Sequence, residues 1–193
     1  MTKMKKQRDN YTFLTHAPVH RVIVSMAVPT IISMLVTSIY GMVDTYYVGQ
    51  INTQSTAAVG ISFSIMTIIQ AIGFFFGHGS GNYISRMLGA KRTDEAKYMA
   101  ATGLVGSVAF GLAVAVVGLA FLSDICIFLG STETILPYTE RYLGIILVGA
   151  PFMTGAFTLN NQMRFQGNAK YAMYGILSGV VLNVVLAPIL ISN

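Results

Sequence analysis

Charged residues are scarce in this sequence. Asp, Glu, Lys and Arg make up 10% of its 193 residues, whereas hydrophobic residues make up 54% and the mean hydropathy is +0.65. A soluble globular domain has about 25% charged residues. Between Val22 and Arg86 the sequence has a single charge, that of Asp44. This composition excludes an ordinary soluble domain and indicates a membrane protein.

Cysteine and the common catalytic motifs are also scarce or missing. Cys126 is alone, so it forms no disulfide within the chain and no thiolate metal site, and we expect it to be a packing residue. The sequence has no GxxxxGK phosphate loop and no nucleophile elbow, so it does not point to ATP as the energy source. We therefore expect a protein that is not an enzyme and that uses no cofactor. The net charge of +5 lies in clusters between apolar runs, which gives no support to nucleic-acid binding.

The apolar runs are long enough to cross a membrane. A hydrocarbon core about 30 Å thick requires about 20 helical residues. The runs show no alternation of period two, so they predict helices and not barrel strands. Five such runs are present, at residues 22–48, 57–84, 98–122, 142–162 and 172–191. The predicted fold class is an all-α polytopic membrane protein.

The distribution of positive charge predicts the orientation of these runs, because cytoplasmic loops hold an excess of Lys and Arg. Basic residues lie in the N-terminal tail and in the second and fourth connections, at Lys3, Lys5, Lys6, Arg8, Arg21, Arg86, Lys91, Arg92, Lys97, Arg164 and Lys170. The other connections hold Asp124, Glu133, Glu140 and one basic residue, Arg141. We predict a cytoplasmic basic tail over residues 1–20 and a transmembrane bundle over residues 21–193, in the plasma membrane.

Small residues that recur every four positions predict which helix faces pack closely. Three runs carry them, at Gly73, Gly77, Gly81, Ser85 and Gly89, at Gly103, Ser107, Gly111 and Ala115, and at Gly175 and Gly179. Pro29, Pro151 and Pro188 lie inside apolar runs, where each removes a backbone donor and can bend a helix.

Asp44 is the residue that points most directly to function. A carboxylate at the centre of a membrane helix costs roughly 2.5–3.5 kcal/mol, so such residues usually face a polar cavity on an ion, proton or substrate path. Spacings of three and four place it on one helical stripe of polar residues, which are Thr30, Ser33, Thr37, Tyr40, Asp44 and Tyr47. A carboxylate in a partly dry cavity can take up H⁺ near neutral pH, and its hard oxygen atoms can also bind Na⁺. For Thr30 and Ser33 the alternative is structural: their hydroxyl groups could serve only to form hydrogen bonds with backbone carbonyls or with neighbouring helices.

Two amide side chains are further candidates. Asn183 lies on the fifth run, where its amide oxygen could bind the coupling ion together with Asp44, although packing against a partner helix fits equally well. Gln70 lies on the second run, and we expect it to line the substrate cavity together with Thr37, Tyr40 and Tyr47. Apart from Na⁺ at Asp44 and Asn183, no metal site is predicted.

Other polar residues lie near the ends of the runs. His78 could titrate near physiological pH, although a packing role is the interpretation that we favour. Asn160, Asn161, Gln162 and Gln166 are expected to form the inner mouth of the fourth run, around Arg164. The eleven Met and eleven Phe residues supply adaptable apolar surface, most of which we assign to packing against lipid.

Four stretches resemble the multidrug and toxic compound extrusion (MATE) family. They are MAVPTIISMLVTSIYGMVDTYYVGQ at 26–50, AAVGISFSI at 57–65, GHGSGNYISRMLGAKRTDEAK at 77–97 and LNVVLAPILI at 182–191. The resemblance implies twelve helices in two six-helix lobes, of which this chain supplies most of the N-terminal lobe. It also implies that Asp44 is the carboxylate central to cation coupling and that Asn183 is the amide of the fifth span. The chain departs from the family at Ala187, where many members have a second Asp.

The predicted function is therefore secondary active efflux, in which amphipathic or cationic drugs or toxic compounds leave in exchange for H⁺ or Na⁺. A lipid-linked oligosaccharide flippase of the same superfamily is an alternative, but its head-group cavity would need cationic residues that the apolar runs lack. A truncated product without transport activity is the other alternative. Because an odd number of helices leaves a transporter repeat incomplete, we expect a C-terminal lobe beyond Asn193.

Overall fold

The structure is a computed structural model that describes residues 12–14, 16–50 and 52–191. Within these ranges the side chains of Asp44, Asn183 and residues 185–191 lie outside the description, and Pro188 is among them. The basic residues of the N-terminal tail before residue 12 also lie outside it.

Long helices account for nearly all of the described chain. In chain order the helices are α1 (Val19–Gly49), α2 (Thr53–Gly89), α3 (Thr93–Ala120), α4 (Leu122–Phe128), α5 (Leu136–Phe165) and α6 (Ala169–Ile191). The helical prediction for the five apolar runs is confirmed, and most of the helices extend a turn or more beyond the run at one or both ends. The third run ends differently, because the chain turns at Phe121 and begins the separate short helix α4.

Four of these helices, α1, α2, α3 and α5, are long and apolar enough to cross a membrane. In α6 the apolar part whose side chains are described, Ala169–Leu182, is shorter than such a span. The fold is thus an all-helical membrane bundle.

Three helix ends contain a residue with left-handed backbone, which turns the chain sharply into the next element. These residues are Lys91 (φ 61°), Gly130 (φ 101°) and Gly167 (φ 76°). At the end of α2, for example, the Lys91 N–H donates to the Leu88 carbonyl at 3.1 Å. Glycine is the usual residue in this position because it has no Cβ, so Lys91 is the unusual member of the three.

Helices α2 and α5 run side by side in the same direction and touch through glycine. A Cβ added at Gly73 would lie 2.6 Å from the Cβ of Phe157, and one added at Gly77 would lie 2.8 Å from the Cβ of Asn161. Gly81 meets Phe165 in the same way, one turn further on. Partners that advance together along both chains define parallel helices. Only residues without a side chain allow backbones to approach this closely.

Helix α3 runs antiparallel to α5 and completes a three-helix core. Gly103 lies against Gln162, Gly111 lies against Thr154, and Gly118 lies against Leu147, so the partners on α5 fall as those on α3 rise. The close packing predicted for the small residues is confirmed on both α2 and α3, except that Ser85 is only half-buried and Gly89 faces open space.

The direction of these helices collects the basic residues at one end of the bundle. Helices α2 and α5 both end there, so the connections around Lys91 and around Asn168 lie at the same end. The connection from α3 to α5, which includes α4 and Glu133, lies at the opposite end. This segregation agrees with the pattern of charge on which the predicted topology depends.

Helices α1 and α6 form a second layer. Helix α1 packs mainly against α6, α6 also contacts α5, and α1 also contacts α2. The small residues of α6 do not form this contact, because Gly175 and Gly179 are exposed and face open space. The prediction for the glycine face of α6 is therefore wrong within the described contacts. The less exposed face of α6 carries Met173, Ile176 and Val180 instead.

Cys126 lies in the core at the end of the bundle that holds α4. Its side chain is fully buried and packs with Leu143 and Leu147 of α5. Burial raises the pKa of the Cys126 thiol, and the carboxylate of Glu140 raises it further. The predicted packing role of this residue is confirmed.

We expect Cys126 to resist thiol reagents, because the thiolate is the reactive form and both burial and the raised pKa disfavour it. A water-soluble maleimide applied at neutral pH should leave Cys126 unlabelled in the folded protein and label it after denaturation in detergent, as followed by peptide mass spectrometry. Cysteine placed at the exposed Glu133 in a Cys126→Ala background is the accessible control and should label at once. Equal labelling of folded and denatured protein at Cys126 would contradict its burial.

Candidate functional site

The polar stripe of α1 coincides with the face that packs into the bundle. Pro29 and Ser33 are buried, with Ser33 only 1% exposed, and Tyr40 and Tyr47 are half-buried. The other faces of the helix expose large apolar side chains, including Ile31, Leu35, Ile39 and Met42. Thr37 is exposed. Helix α1 therefore turns the described residues of its polar stripe inward, except Thr37, and turns large apolar residues outward.

The hydroxyl groups on α1 bond their own backbone. Thr30 donates to the Met26 carbonyl at 2.9 Å, and Ser33 donates to the Pro29 carbonyl at 2.7 Å. Thr37 donates to the Ser33 carbonyl at 2.8 Å. The backbone alternative for Thr30 and Ser33 is therefore the one that the structure contains. A hydroxyl that donates in this way keeps oxygen lone pairs for a cation or for another donor.

Asp44 and Asn183 can be placed by helical register, although their side chains lie outside the described residues. Position 44 follows Tyr40 by four residues and precedes Tyr47 by three, which is the spacing on which the predicted stripe rests. Position 183 follows Val180 by three residues on α6. Since α1 and α6 pack against each other, the two predicted ion-coupling positions lie on facing helices.

Four helices form a closed ring of contacts. Helix α1 contacts α2, α2 contacts α5, α5 contacts α6, and α6 contacts α1. Helix α3 lies outside this ring, where it packs on α2 and α5. The polar stripe of α1 and the stripe of α6 that carries position 183 both belong to the ring. The ring therefore brings the helices that carry most of the predicted site residues into contact with one another.

Gln70 lies on an exposed line of α2 that continues through Phe74 and His78 at intervals of four residues. This line runs along α5, because Phe74 contacts Phe157 with ring centroids 5.7 Å apart. Helix α3 contacts a different side of α2, for example through Ser80. Gln70 is thus exposed on a side of α2 different from the one that contacts α3.

An aromatic cluster, formed by Phe74, His78, Phe157 and Phe165, joins α2 to α5 beside this line. The ring centroids of Phe74 and His78 are 5.5 Å apart, and those of His78 and Phe165 are 5.6 Å apart, both in edge-to-face geometry. His78 is exposed and its Nδ1 lies 2.9 Å from the Phe74 carbonyl oxygen. His78 therefore packs against aromatic rings, as the favoured interpretation predicted, but it is exposed and does not belong to the buried core.

Sequence reasoning did not identify the three phenylalanines of the aromatic cluster. Their spacing contains a signal, since Phe74 and His78 are four apart and Phe157 and Phe165 are eight apart, which places each pair on one helix face. The spacing alone does not show that the two pairs meet. Their contact depends on the glycines of α2, which bring this face of α2 against α5.

A second polar cluster lies inside the three-helix core. The Gln162 side chain is 2% exposed and donates to Ser80 Oγ at 2.9 Å and to the Ala100 carbonyl at 3.1 Å. Asn161 is also buried, and its amide donates to the Phe157 carbonyl at 2.8 Å. The prediction that these residues form a solvated mouth is wrong for both, because both are buried and Gln162 bonds α5 to α2 and α3.

The other amides of that segment behave differently. Asn160 donates from Nδ2 to the Ala172 carbonyl of α6 at 3.0 Å and accepts from Arg164 Nε at 3.0 Å. Asn160 thus tethers α6 to α5 and orients the Arg164 guanidinium at the basic end of the ring. Interhelical hydrogen bonds of this kind are the polar contacts expected between membrane helices.

Comparison with known proteins places these features in a family. The MatE family model matches residues 29–189. The multidrug export protein MepA from Staphylococcus aureus (strain MRSA252) is 36% identical over 135 residues, which cover 70% of this chain and 30% of that protein. The chain therefore spans about 30% of the length of the curated relatives that it matches.

Solved structures agree with the family match. A crystal structure of a MATE proline-to-alanine mutant superposes with a TM-score of 0.87 at 27% identity and covers 93% of this chain and 40% of that chain. An outward-facing multidrug resistance MATE family transporter of the MOP superfamily has a TM-score of 0.82 at 28% identity, over 87% of this chain and 37% of that chain.

Proposed function

Because the chain belongs to the MatE family, we propose that the full-length protein is a secondary active antiporter that exports amphipathic or cationic drugs in exchange for H⁺ or Na⁺. The proposal extends to this protein the activity that the name of its relative states, which is multidrug export. A second lobe, supplied by sequence after Asn193, would complete the transporter.

The observation that carries this proposal is the coincidence of the polar stripe and the packed stripe on α1. Ser33 and Tyr40 lie on that stripe, and position 44 continues it in register. A carboxylate that served only to reach the lipid headgroups would have no need of a polar line of neighbours along the inward face. Intramembrane ionisable residues that face a bundle interior are typical of ion and proton paths.

In this mechanism Asp44 binds the coupling ion. A carboxylate in a partly dry cavity can hold H⁺ near neutral pH or can coordinate Na⁺ through its oxygen atoms. Asn183 on the facing helix would add a neutral amide oxygen, a type of ligand that suits a hard cation. With Ala187 at the family's second Asp position, Asp44 would supply the negative charge of this lobe alone.

The substrate would occupy the same ring of helices. Gln70, Tyr40 and Tyr47 would line its path, and the ion and the drug would bind there in alternation as the lobes rock between inward-open and outward-open states. Ligand and ion then influence each other only to the extent that they bind the two states differently. The basic end of the bundle would face the cytoplasm, which places the N-terminus inside the cell.

A transport assay under imposed gradients tests this function. Membrane vesicles or proteoliposomes with the full-length protein should move a cationic drug against its gradient when an H⁺ gradient or a Na⁺ gradient is applied, and the effective gradient identifies the ion. A protonophore should abolish H⁺-driven transport and leave Na⁺-driven transport intact. Accumulation that never differs from that of empty membranes under either gradient would refute the antiport proposal.

A further inference from the structure

We propose that a groove between α2 and α3 binds one acyl chain of a membrane phospholipid, in the leaflet opposite the basic end of the bundle. The groove has no part in the proposed transport mechanism, so the lipid site stands or falls independently of that mechanism. The position, the lining and the size of the groove each point to the same occupant.

The placement of glycine in α3 explains why the groove exists. In the first half of α3, a Cβ added at Gly103 would lie 2.6 Å from the Cβ of Ser80 on α2. In the second half, the nearest neighbours of Gly111 and Gly118 belong to α5 instead. Helix α3 therefore follows α5 along its second half, and a groove opens between α3 and α2.

The groove has a volume of about 350 Å³, and its lining is apolar throughout. Ile68 of α2 and Val117 of α3 belong to its two walls, and Leu147 of α5 belongs to its floor. Ile125 of the short helix α4 lines the end away from the basic connections. Phe110 lines the other end. Side chains from four helices thus surround one elongated apolar space.

The contact of Phe110 with Phe76 closes the groove at the end nearer the basic connections. The two ring centroids are 5.3 Å apart, and the ring of Phe76 lies where a Cβ on Gly106 would be, at 2.8 Å. Helices α2 and α3 are therefore in close contact below this pair and apart above it.

The groove opens sideways onto a surface that faces lipid. At its rim Ile68 is 51% exposed and Val117 is 57% exposed, whereas Leu147 on the floor is buried. The rim continues into the exposed apolar face of α3, which includes Leu112 and Val116. Because α3 is long and apolar enough to cross a membrane, acyl chains surround this surface and have direct access to the groove.

The depth of the groove corresponds to one leaflet. From Phe110 to Gly118 an α-helix rises about 12 Å, compared with about 15 Å for half of the hydrocarbon core. Helix α3 ends soon after, at Ala120, and α4 follows with the exposed polar residues Ser123 and Asp124. These polar side chains mark the level of the headgroups, so a chain that extends from there toward the membrane centre lies along the groove.

The size of the groove selects a single chain over a helix. Spread over about 12 Å, the volume corresponds to a cross-section of roughly 30 Å². This width suits one hydrocarbon chain, since carbon atoms in contact are about 4 Å apart. A helix with its side chains is about 10 Å across, so a helical segment of the same length would need about 900 Å³. A helix from another protein, from a second copy or from sequence after Asn193 is therefore too large.

Van der Waals contact is the physical basis of binding, because a chain that leaves the bilayer for the groove removes no surface from water. In the groove a chain touches α2, α3 and α5, which surround it on three sides. On the outer face of α3 it touches protein on one side only. A polar headgroup has no hydrogen-bonding partner on the apolar walls and stays outside.

Photo-crosslinking in detergent tests the site, because detergent displaces lipid from freely exposed surfaces. The purified full-length protein is mixed with a few equivalents of phosphatidylglycerol that carries a diazirine near the end of one acyl chain. It is then irradiated and digested for mass spectrometry. Crosslinks to the groove residues of α2, α3 and α5 should saturate, with a yield at least about fivefold above that at Phe152, which is 80% exposed on α5.

Ala113→Phe should block the groove, because Ala113 lines it and a phenyl ring takes the space of the chain. The crosslinking yield at the other groove residues should fall at least about fivefold. Ala109→Phe is the matched control, since it adds the same ring one turn earlier on the exposed face of α3. It should crosslink as wild type does. Ile68→Trp fills the groove from the opposite wall and replaces Ala113→Phe if that variant is poorly folded.

Thermal melting provides a second measurement that does not depend on crosslinking. Added phosphatidylglycerol should raise the melting temperature of wild type and of Ala109→Phe, because a ligand that binds only the folded state stabilises it. The rise should be no more than about half as large for Ala113→Phe.

Two results would overturn the proposal. One is equal crosslinking in the groove and at Phe152, which would reduce the bound lipid to the ordinary lipid that surrounds any membrane protein. The other is unchanged crosslinking and unchanged stabilisation by lipid in the variants that fill the groove. Neither measurement requires transport, so failure of the antiport proposal would leave both results standing.

Discussion

Replacement of Asp44 with Asn in the full-length protein should abolish drug export at normal expression. Asparagine has nearly the same shape as aspartate but has no charge, so it neither takes up H⁺ nor neutralises Na⁺. Drug accumulation in cells that express Asp44→Asn should therefore rise to the level of cells without the transporter, and the minimal inhibitory concentration of the drug should fall to the same level. Coupling is lost while the helix keeps its packed stripe.

The control for this variant is Asp124→Asn, which removes a carboxylate from the exposed surface of α4. It should leave export unchanged, because a solvated charge at the end of the bundle contributes little. Detergent-solubilised Asp44→Asn should elute as a single folded species, since loss of an intramembrane charge does not disfavour insertion. Full export by Asp44→Asn would remove this residue from the mechanism.

The second large effect is expected at Gly111, where α3 touches the backbone of α5. A Cβ at this position would lie 2.8 Å from Pro151 Cα and 3.1 Å from the Ala150 carbonyl oxygen. Backbone atoms cannot turn aside as a side chain can, so the helices would have to separate. We expect Gly111→Val to lower the free energy of unfolding by about 3 kcal/mol or more and to reduce the yield of folded protein. Thermal melting monitored by size-exclusion chromatography measures the effect.

Gly79→Val provides the matched comparison. Gly79 is also a helical glycine, on α2, and a Cβ added there meets nothing within 4 Å. The two variants add the same side chain to an α-helix, so their difference isolates the helix contact from the propensity of valine. Equal melting temperatures for the two variants would show that the backbone contact at Gly111 does not determine stability.

Local features of the chain were predicted well because lipid acts on each segment separately. Apolar runs of sufficient length become helices whatever surrounds them, since no water is present to satisfy the backbone in another way. The exception is instructive. The third run was predicted to extend to Leu122, but the chain turns at Phe121 and α4 folds back over Leu143 and Leu147 of α5. A contact with a distant segment, which the pattern of the run does not contain, accompanies that boundary.

Packing was predicted only in part. The glycines of α2 and α3 meet α5 as expected, yet Gly175 and Gly179 of α6 face open space. The spacing of four residues was the same in all three helices. What differed was the presence of a partner on that side, and a pattern within one helix does not contain this information.

The positions of the polar residues were also predicted only in part. Gln162 was expected at a solvated mouth, and it instead bonds Ser80 and the Ala100 carbonyl inside the core. Asn160 and Arg164, which lie near it in the sequence, suggested that Gln162 is exposed to water. In the folded chain it lies between α5 and two other helices. A buried amide is stabilised by partners that come from other parts of the chain.

The order of residues was sufficient to establish an all-helical membrane protein, its segregated charge, and one carboxylate that requires a polar setting, because each of these follows from the cost of placing a residue in lipid. The pairing of α1 with α6, the glycine contacts of α5 and the aromatic cluster around His78 required the folded bundle. They depend on which helix faces meet, and that choice is made by the whole set of shapes at once and not by any single segment.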